Sequence, residues 1–144
     1  MNHYPEPIVG TFIFNDKDEI LLIEYAKRNN QYTVPGGHIE IGETIAEAVV
    51  REAKEEVGLD VEFVEVFNCQ ENIFDPHYYA KKHFIFLDCL CRAKTTVTKC
   101  DGREAISCRW FKIGDALKLQ NLSETTREPL IKFRKRFTEM KNDK

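Results

Sequence analysis

Long apolar runs are missing from this chain, and none approaches the roughly 20 residues that a membrane-spanning helix needs. No membrane partner is therefore expected. Met1 to Glu6 hold no basic stretch followed by an apolar one, so no signal peptide is expected and the cytoplasm is the default location. Positive charge is not in surplus either. Lys and Arg number 21 against 24 Asp and Glu, a net charge of −3, whereas a nucleic-acid coat needs an excess of Lys and Arg. One small anionic ligand held through a metal stays compatible with that balance. There is no C-x-x-C pair, and the cysteines (Cys69, Cys89, Cys91, Cys100 and Cys108) are odd in number, which argues against a zinc ribbon. Cys89 and Cys91 stand two apart in an apolar run and would share one face of a strand. All read as small buried hydrophobes in a reducing compartment. Repeats, low-complexity tracts and linkers are also lacking. The expectation is one domain over residues 1–144, large enough to bury a core without disulfide staples.

What is present has a readable order. Ile8 to Phe14 is rich in β-branched and aromatic residues and predicts a strand. Asn15 to Asp18 predicts a turn, and Glu19 to Tyr25 a second strand completing a hairpin. Gln31 to Val34 predicts a short extended piece ended by Pro35-Gly36-Gly37. The clearest helix spans about Thr44 to Val57. Thr44 with Glu47 has the spacing of a capping box, and Gly58 stands where a left-handed residue ends a helix. Further strands are predicted over Val61 to Cys69, His83 to Arg92 and Ile106 to Ile113. Between them lie an aromatic loop, Asn72 to Lys82, and a polar one, Ala93 to Arg103. A last helix is predicted from Thr126 to Met140, with Pro129 tolerated only in its first turn. Strands, a helix, more strands and a second helix give an α+β or α/β/α sandwich around a mixed sheet.

The predicted first helix carries an unusual burden. Glu52, Glu55 and Glu56 fall at i, i+3 and i+4, within an arc of roughly 100° at 3.6 residues per turn. Ile45, Val49, Ala53 and Val57 form an apolar stripe beside them. Like charges at this spacing repel, and the helix C-terminus disfavours anions. A cation would remove both penalties, and clustered carboxylates suit hard ions such as Mg²⁺ or Mn²⁺. Taken alone, E-x-x-E-E is more often a solvated helix face.

The surrounding residues add to this. Gly37, Glu43, Arg51-Glu52, Ala53, Glu55-Glu56, Gly58 and Leu59 match the Nudix box at its invariant positions, with Ala53 where a larger aliphatic is usual. The strand pair ahead of the box, its Val34 to Glu40 entry and the late Arg109-Trp110-Phe111 strand are similar to the MutT-like branch. The resemblance implies an α/β/α sandwich with the box as loop–helix–loop. It implies divalent metal, Mg²⁺ with Mn²⁺ as substitute, on Glu52, Glu55, Glu56 and the Gly36 carbonyl. It implies that Arg51 pairs with Glu43 and braces the loop. Glu104, six residues before Trp110, is the candidate for one further ligand on a later loop; the alternative is an exposed carboxylate.

The implied chemistry is attack of water on phosphorus, with Glu55 or Glu52 the favoured base ahead of Glu104 and Glu56 a further member of the catalytic set. The implied substrate is a small nucleotide carrying a diphosphate linkage, by default a nucleoside triphosphate in MutT-like fashion. ADP-ribose or another nucleoside-diphosphate derivative is the alternative, and a silent nucleotide sensor the rival from another class. Pro76 and Tyr78 lie 17 and 19 residues after Leu59, which fits neither the ADP-ribose nor the dinucleoside polyphosphate pattern well. Arg28, His38, Phe74 and Tyr78 are the substrate-contact candidates, with Tyr32, His77 and Tyr79 as further aromatics that could meet a base. The basic run Lys132, Arg134, Lys135, Arg136 reads as the wet face of an amphipathic helix, not a nucleic-acid patch. Nudix dimers are common, so a homodimer is left open.

Overall fold

The protein is described by a computed structural model covering residues 3–76, 78, 80–100 and 105–142. The chain runs β1 (Glu6–Phe14), β2 (Glu19–Tyr25), a 3₁₀ turn (Ala26–Arg28), β3 (Gln31–Thr33), β4 (Gly36–His38), α1 (Ile45–Val57), β5 (Val61–Ile73), β6 (His83–Ala93), β7 (Ala105–Lys112), α2 (Ile113–Leu117) and α3 (Glu124–Asn142). Among the described residues no helix is long and apolar enough to cross a membrane.

The sheet is mixed. β1 and β2 form the expected hairpin, closed by Asn15, whose carboxamide oxygen accepts from the Lys17 and Glu19 N–H groups. Their paired register is confined to the turn end, Phe14 opposite Ile20, and each strand then takes other partners. β1 pairs parallel with β6 and antiparallel with β4, while β2 pairs antiparallel with β3 and β7. Val34-Pro35 thus carries the chain from β3 on β2 to β4 on β1. Thr11 secures the crossing: its N–H and its hydroxyl both donate to the Pro35 carbonyl, at 2.8 and 2.7 Å.

Alternation along the strands builds two cores. Val9, Ile13, Leu21 and Ile23 face α1 and pack with Val49, Ala53 and Val57. Phe12, Phe14, Ile20 and Leu22 face the other way, toward Ala116 of α2 and Leu130 of α3. The result is the α/β/α sandwich expected from the sequence.

Local chemistry explains the boundaries of α1. Thr44 and Glu47 form both halves of the capping box, at 3.1 Å each. Gly58 ends the helix at φ 71°, and the Lys99 N–H caps the Val57 carbonyl at 2.8 Å. Four expectations need correction. α3 begins at Glu124, so Pro129 lies in its second turn, not its first. A proline there cannot donate to the Thr125 carbonyl; the Gln70 carboxamide does so instead, at 2.8 Å. β5 runs on to Ile73, because β6 pairs with it to His83 opposite Ile73. Tyr32 is a core residue packed edge-on to Phe111, so it is not available to a base. Finally, Cys89 and Cys91 are buried thiols, as expected, but Cys100 and Cys108 form a disulfide and Cys69 is exposed. The reading of all the cysteines as buried hydrophobes therefore fails for three of them.

Candidate active site

β4 brings the Gly36-Gly37 pair beside the acidic face of α1. The approach is too close for side chains. A Cβ on Gly36 would fall on the Val9 carbonyl oxygen, and one on Gly37 would fall into the Glu52 carboxylate. Glycine is needed for space at Gly36, where backbone fills the place; at Gly37 a side chain would push the Glu52 carboxylate aside.

Arg51 organises the neighbouring carboxylates. Its guanidinium grips Glu43 in two bonds, Nε to Oε2 at 2.6 Å and Nη2 to Oε1 at 2.9 Å. This bidentate geometry is specific to a planar guanidinium. Nη2 also donates to the His38 carbonyl at 3.0 Å, and Nη1 to Glu52 at 2.9 Å and Glu55 at 3.2 Å. One side chain so joins the loop, β4 and the helix. The Arg51 guanidinium, helped by the Glu40 N–H, lowers the Glu43 carboxyl to about 2. Its ion pairs push Arg51 above the usual arginine value, the Glu43 bond first. Glu52 is half-buried, and loss of solvent pushes its carboxyl up despite Arg51.

Glu56 turns another way. Its Oε2 accepts from the Gly36 N–H at 3.0 Å, and its Oε1 from the hydroxyl of Tyr25. Glu52 and Glu55 are therefore gathered on Arg51, while Glu56 is held at the Gly36 loop. Among the described residues, no three His, Cys, Asp or Glu side chains converge closely enough to enclose an ion in this arrangement. The donor chemistry is nevertheless that of a hard-cation site: carboxylates on one helix face against a glycine-lined loop.

The other sequence candidates are scattered around this centre. Arg28 lies over the rings of Tyr25, at 5.4 Å, and Tyr78, at 5.8 Å. Tyr78 packs edge-on to Phe84. The His38 ring bonds to Glu6 at the start of β1 at 2.9 Å, while its carbonyl serves Arg51. Phe74 is half-exposed, with the Lys81 ammonium 4.6 Å above its ring. Glu104, His77 and Tyr79 lie outside the described residues. On α3, Lys132 reaches Asn68 and Arg136 pairs with Glu65, and both are tied to β5. The residue that sequence reasoning missed is Tyr25. It closes an ordinary apolar strand, and no spacing rule links it to Glu56.

Comparison with known proteins adds an independent line. The family model described as NUDIX domain matches residues 5–133. Nudix hydrolase 5 of Arabidopsis thaliana is 33% identical over 109 residues, covering 73% of this chain and 35% of that protein. The 8-oxo-dGDP phosphatase NUDT18 of Danio rerio is 34% identical over 117 residues, covering 78% of this chain and 34% of that protein. The chain thus spans about a third of the length of these curated relatives. Among solved structures, a MutT NUDIX hydrolase from Burkholderia pseudomallei superposes with a TM-score of 0.75 at 26% identity, over 89% of this chain and 97% of that one.

Proposed function

The chain belongs to the Nudix family, and on that footing we propose that it hydrolyses a diphosphate linkage in a nucleoside diphosphate derivative with the help of Mg²⁺. The observation that carries this reading is the Arg51 hub, which holds Glu43, Glu52 and Glu55 together next to a glycine loop that holds Glu56. A bound Mg²⁺ would lower the pKa of its water and offset charge on the phosphates. Glu52, Glu55 and Glu56 would hold the metal with the Gly36 carbonyl, and Glu104 is the candidate for a further ligand. Glu55 is exposed and is the favoured base for the attacking water. Arg28 and Tyr78, which meet each other through the Tyr78 ring, are the candidate contacts for phosphate and base. Nucleoside triphosphates stay the default class. Oxidised guanine nucleotides join the front rank because a relative at 34% identity is named for 8-oxo-dGDP.

The test is a substrate panel: canonical and oxidised nucleoside di- and triphosphates, ADP-ribose, dinucleoside polyphosphates and nucleotide sugars. Each is run with Mg²⁺, with Mn²⁺ and with chelator, and products are separated by chromatography. Metal-dependent cleavage of one class, lost in Glu55→Gln, is expected. Binding of a nucleotide without any turnover would favour a sensor instead.

A smaller effect is expected at the loop. Gly37→Ala should displace Glu52 from its bond with Arg51 and lower kcat/KM about tenfold, since small misplacements of reacting groups are costly. Unaltered kinetics would mean that the Glu52 position is not critical.

A further inference from the structure

Tyr25 belongs to no motif, yet its hydroxyl reaches one of the acidic residues of the box. The phenol donates to Glu56 Oε1 while the Gly36 N–H donates to Oε2. These donors come from the end of β2 and the start of β4, and together they fix the direction of a carboxylate that α1 supplies.

The ring that carries the hydroxyl is itself held. Its backbone pairs with Gln31 on one side and Ala105 on the other. The ring packs against the core cluster on the α1 face, and the Arg28 guanidinium covers it at 5.4 Å. The hydroxyl is therefore a fixed point rather than the tip of a mobile side chain. Phenol and amide donors orient a carboxylate without neutralising its charge. Each carboxylate oxygen has more than one lone-pair direction, so an oxygen that accepts from a phenol can still face a cation.

We infer that Tyr25 is a positioning residue for Glu56, presetting its carboxylate for a divalent cation. This rests on the reading of Glu56 as a metal ligand. Outer hydrogen bonds of this kind orient ligands, and their loss typically weakens metal affinity by about 10–100-fold. Tyr25→Phe is a clean probe: it keeps the ring, its core packing and the Arg28 contact, and removes only the O–H.

The experiment titrates Mn²⁺ into wild type, Tyr25→Phe and Glu56→Gln, with free Mn²⁺ read by electron paramagnetic resonance. Thermal unfolding of each protein is followed with and without the ion. The expected result is a Mn²⁺ Kd raised about tenfold or more in Tyr25→Phe. The rise in Tm on adding Mn²⁺ should shrink accordingly, while the metal-free Tm stays close to that of wild type. A weakened Glu56→Gln beside an unchanged Tyr25→Phe would overturn the role of Tyr25 and leave Glu56 as a ligand. Unchanged Mn²⁺ binding in both would overturn the ligand reading and the inference with it. A Tyr25→Phe protein that loses its metal-free stability together with Mn²⁺ binding would assign the hydroxyl to the core and likewise overturn the inference.

Discussion

Exchanging Arg51 for lysine is expected to lower kcat/KM on the best substrate about 100-fold or more, because a misplacement of about 1 Å can cost that much. Lysine keeps the positive charge and comparable reach. It cannot hold Glu43 in two bonds, donate to the His38 carbonyl and still serve Glu52 and Glu55, as the guanidinium does. The loss should therefore appear at saturating Mg²⁺, where simple charge replacement would show none. Near-normal turnover in the lysine variant would reduce Arg51 to a counter-charge. The pair also has a pH signature. Glu43 is lowered from 4.5 to about 2, so the contribution of its bonds is complete above the unfolded value and fades as pH falls from 4.5 toward 2. In Glu43→Gln, this part of the acid response should vanish from thermal melts.

The second large effect lies away from the box, at Asp88. This carboxyl sits on β6 in the seam between the sheet and α3, almost wholly buried. Asn68 and Gln70 donate to its Oδ2 at 2.8 and 2.9 Å, and Oδ1 lies 3.2 Å from where a Cβ on Gly10 would stand. Burial pushes the carboxyl up from 3.8 to about 6, outweighing the two amide bonds and the pull of Lys132. An acid raised in the folded state makes folding less favourable once it ionises. The penalty from Asp88 is therefore absent below 3.8, grows as pH rises toward 6, and stays constant above that. Asp88→Asn removes the ionisation and keeps an oxygen for the amides. It is expected to stabilise the fold at neutral pH by about 2 kcal/mol, from a rise of about two pKa units at roughly 1.4 kcal/mol each, reduced for local relaxation. Melting both proteins across pH 4 to 8 checks this. The gap should open between the two pKa values and then level off. A gap that is flat throughout, or a variant less stable than wild type at neutral pH, would mean that the charge is well accommodated.

Local signals made the box helix legible to the residue. The capping pair, the apolar stripe and Gly58 all lie within the segment they define. The Arg51–Glu43 bond was equally accessible, through the family resemblance. What escaped depends on partners remote in the chain. β4 is only Gly-Gly-His and becomes a strand because β1 pairs with it. The end of β5 is polar and is extended by β6. Pro129 is tolerated a turn later than its own chemistry suggests, because Gln70, from another strand, takes the orphan carbonyl. Tyr32 and Tyr25 are both strand tyrosines, yet one is core and the other touches Glu56. The pairing of Cys100 with Cys108 is likewise not written in their spacing.

The parallel pairing of β1 with β6 also constrains how the chain can reach this state. Glu6 lies opposite Phe84 and Phe14 opposite Arg92, so the first strand finds this neighbour only after most of the chain exists. Closing such a distant contact is entropically slow. While the chain is being synthesised, the N-terminal hairpin and the complete acidic helix precede β6, α2 and α3, without which their apolar faces are incompletely covered. Those faces are exposed for that interval and prone to association. A nascent chain arrested before β6 should therefore be readily cut by protease and bound by chaperones. One released with α3 complete should resist both, although the whole box is present in each.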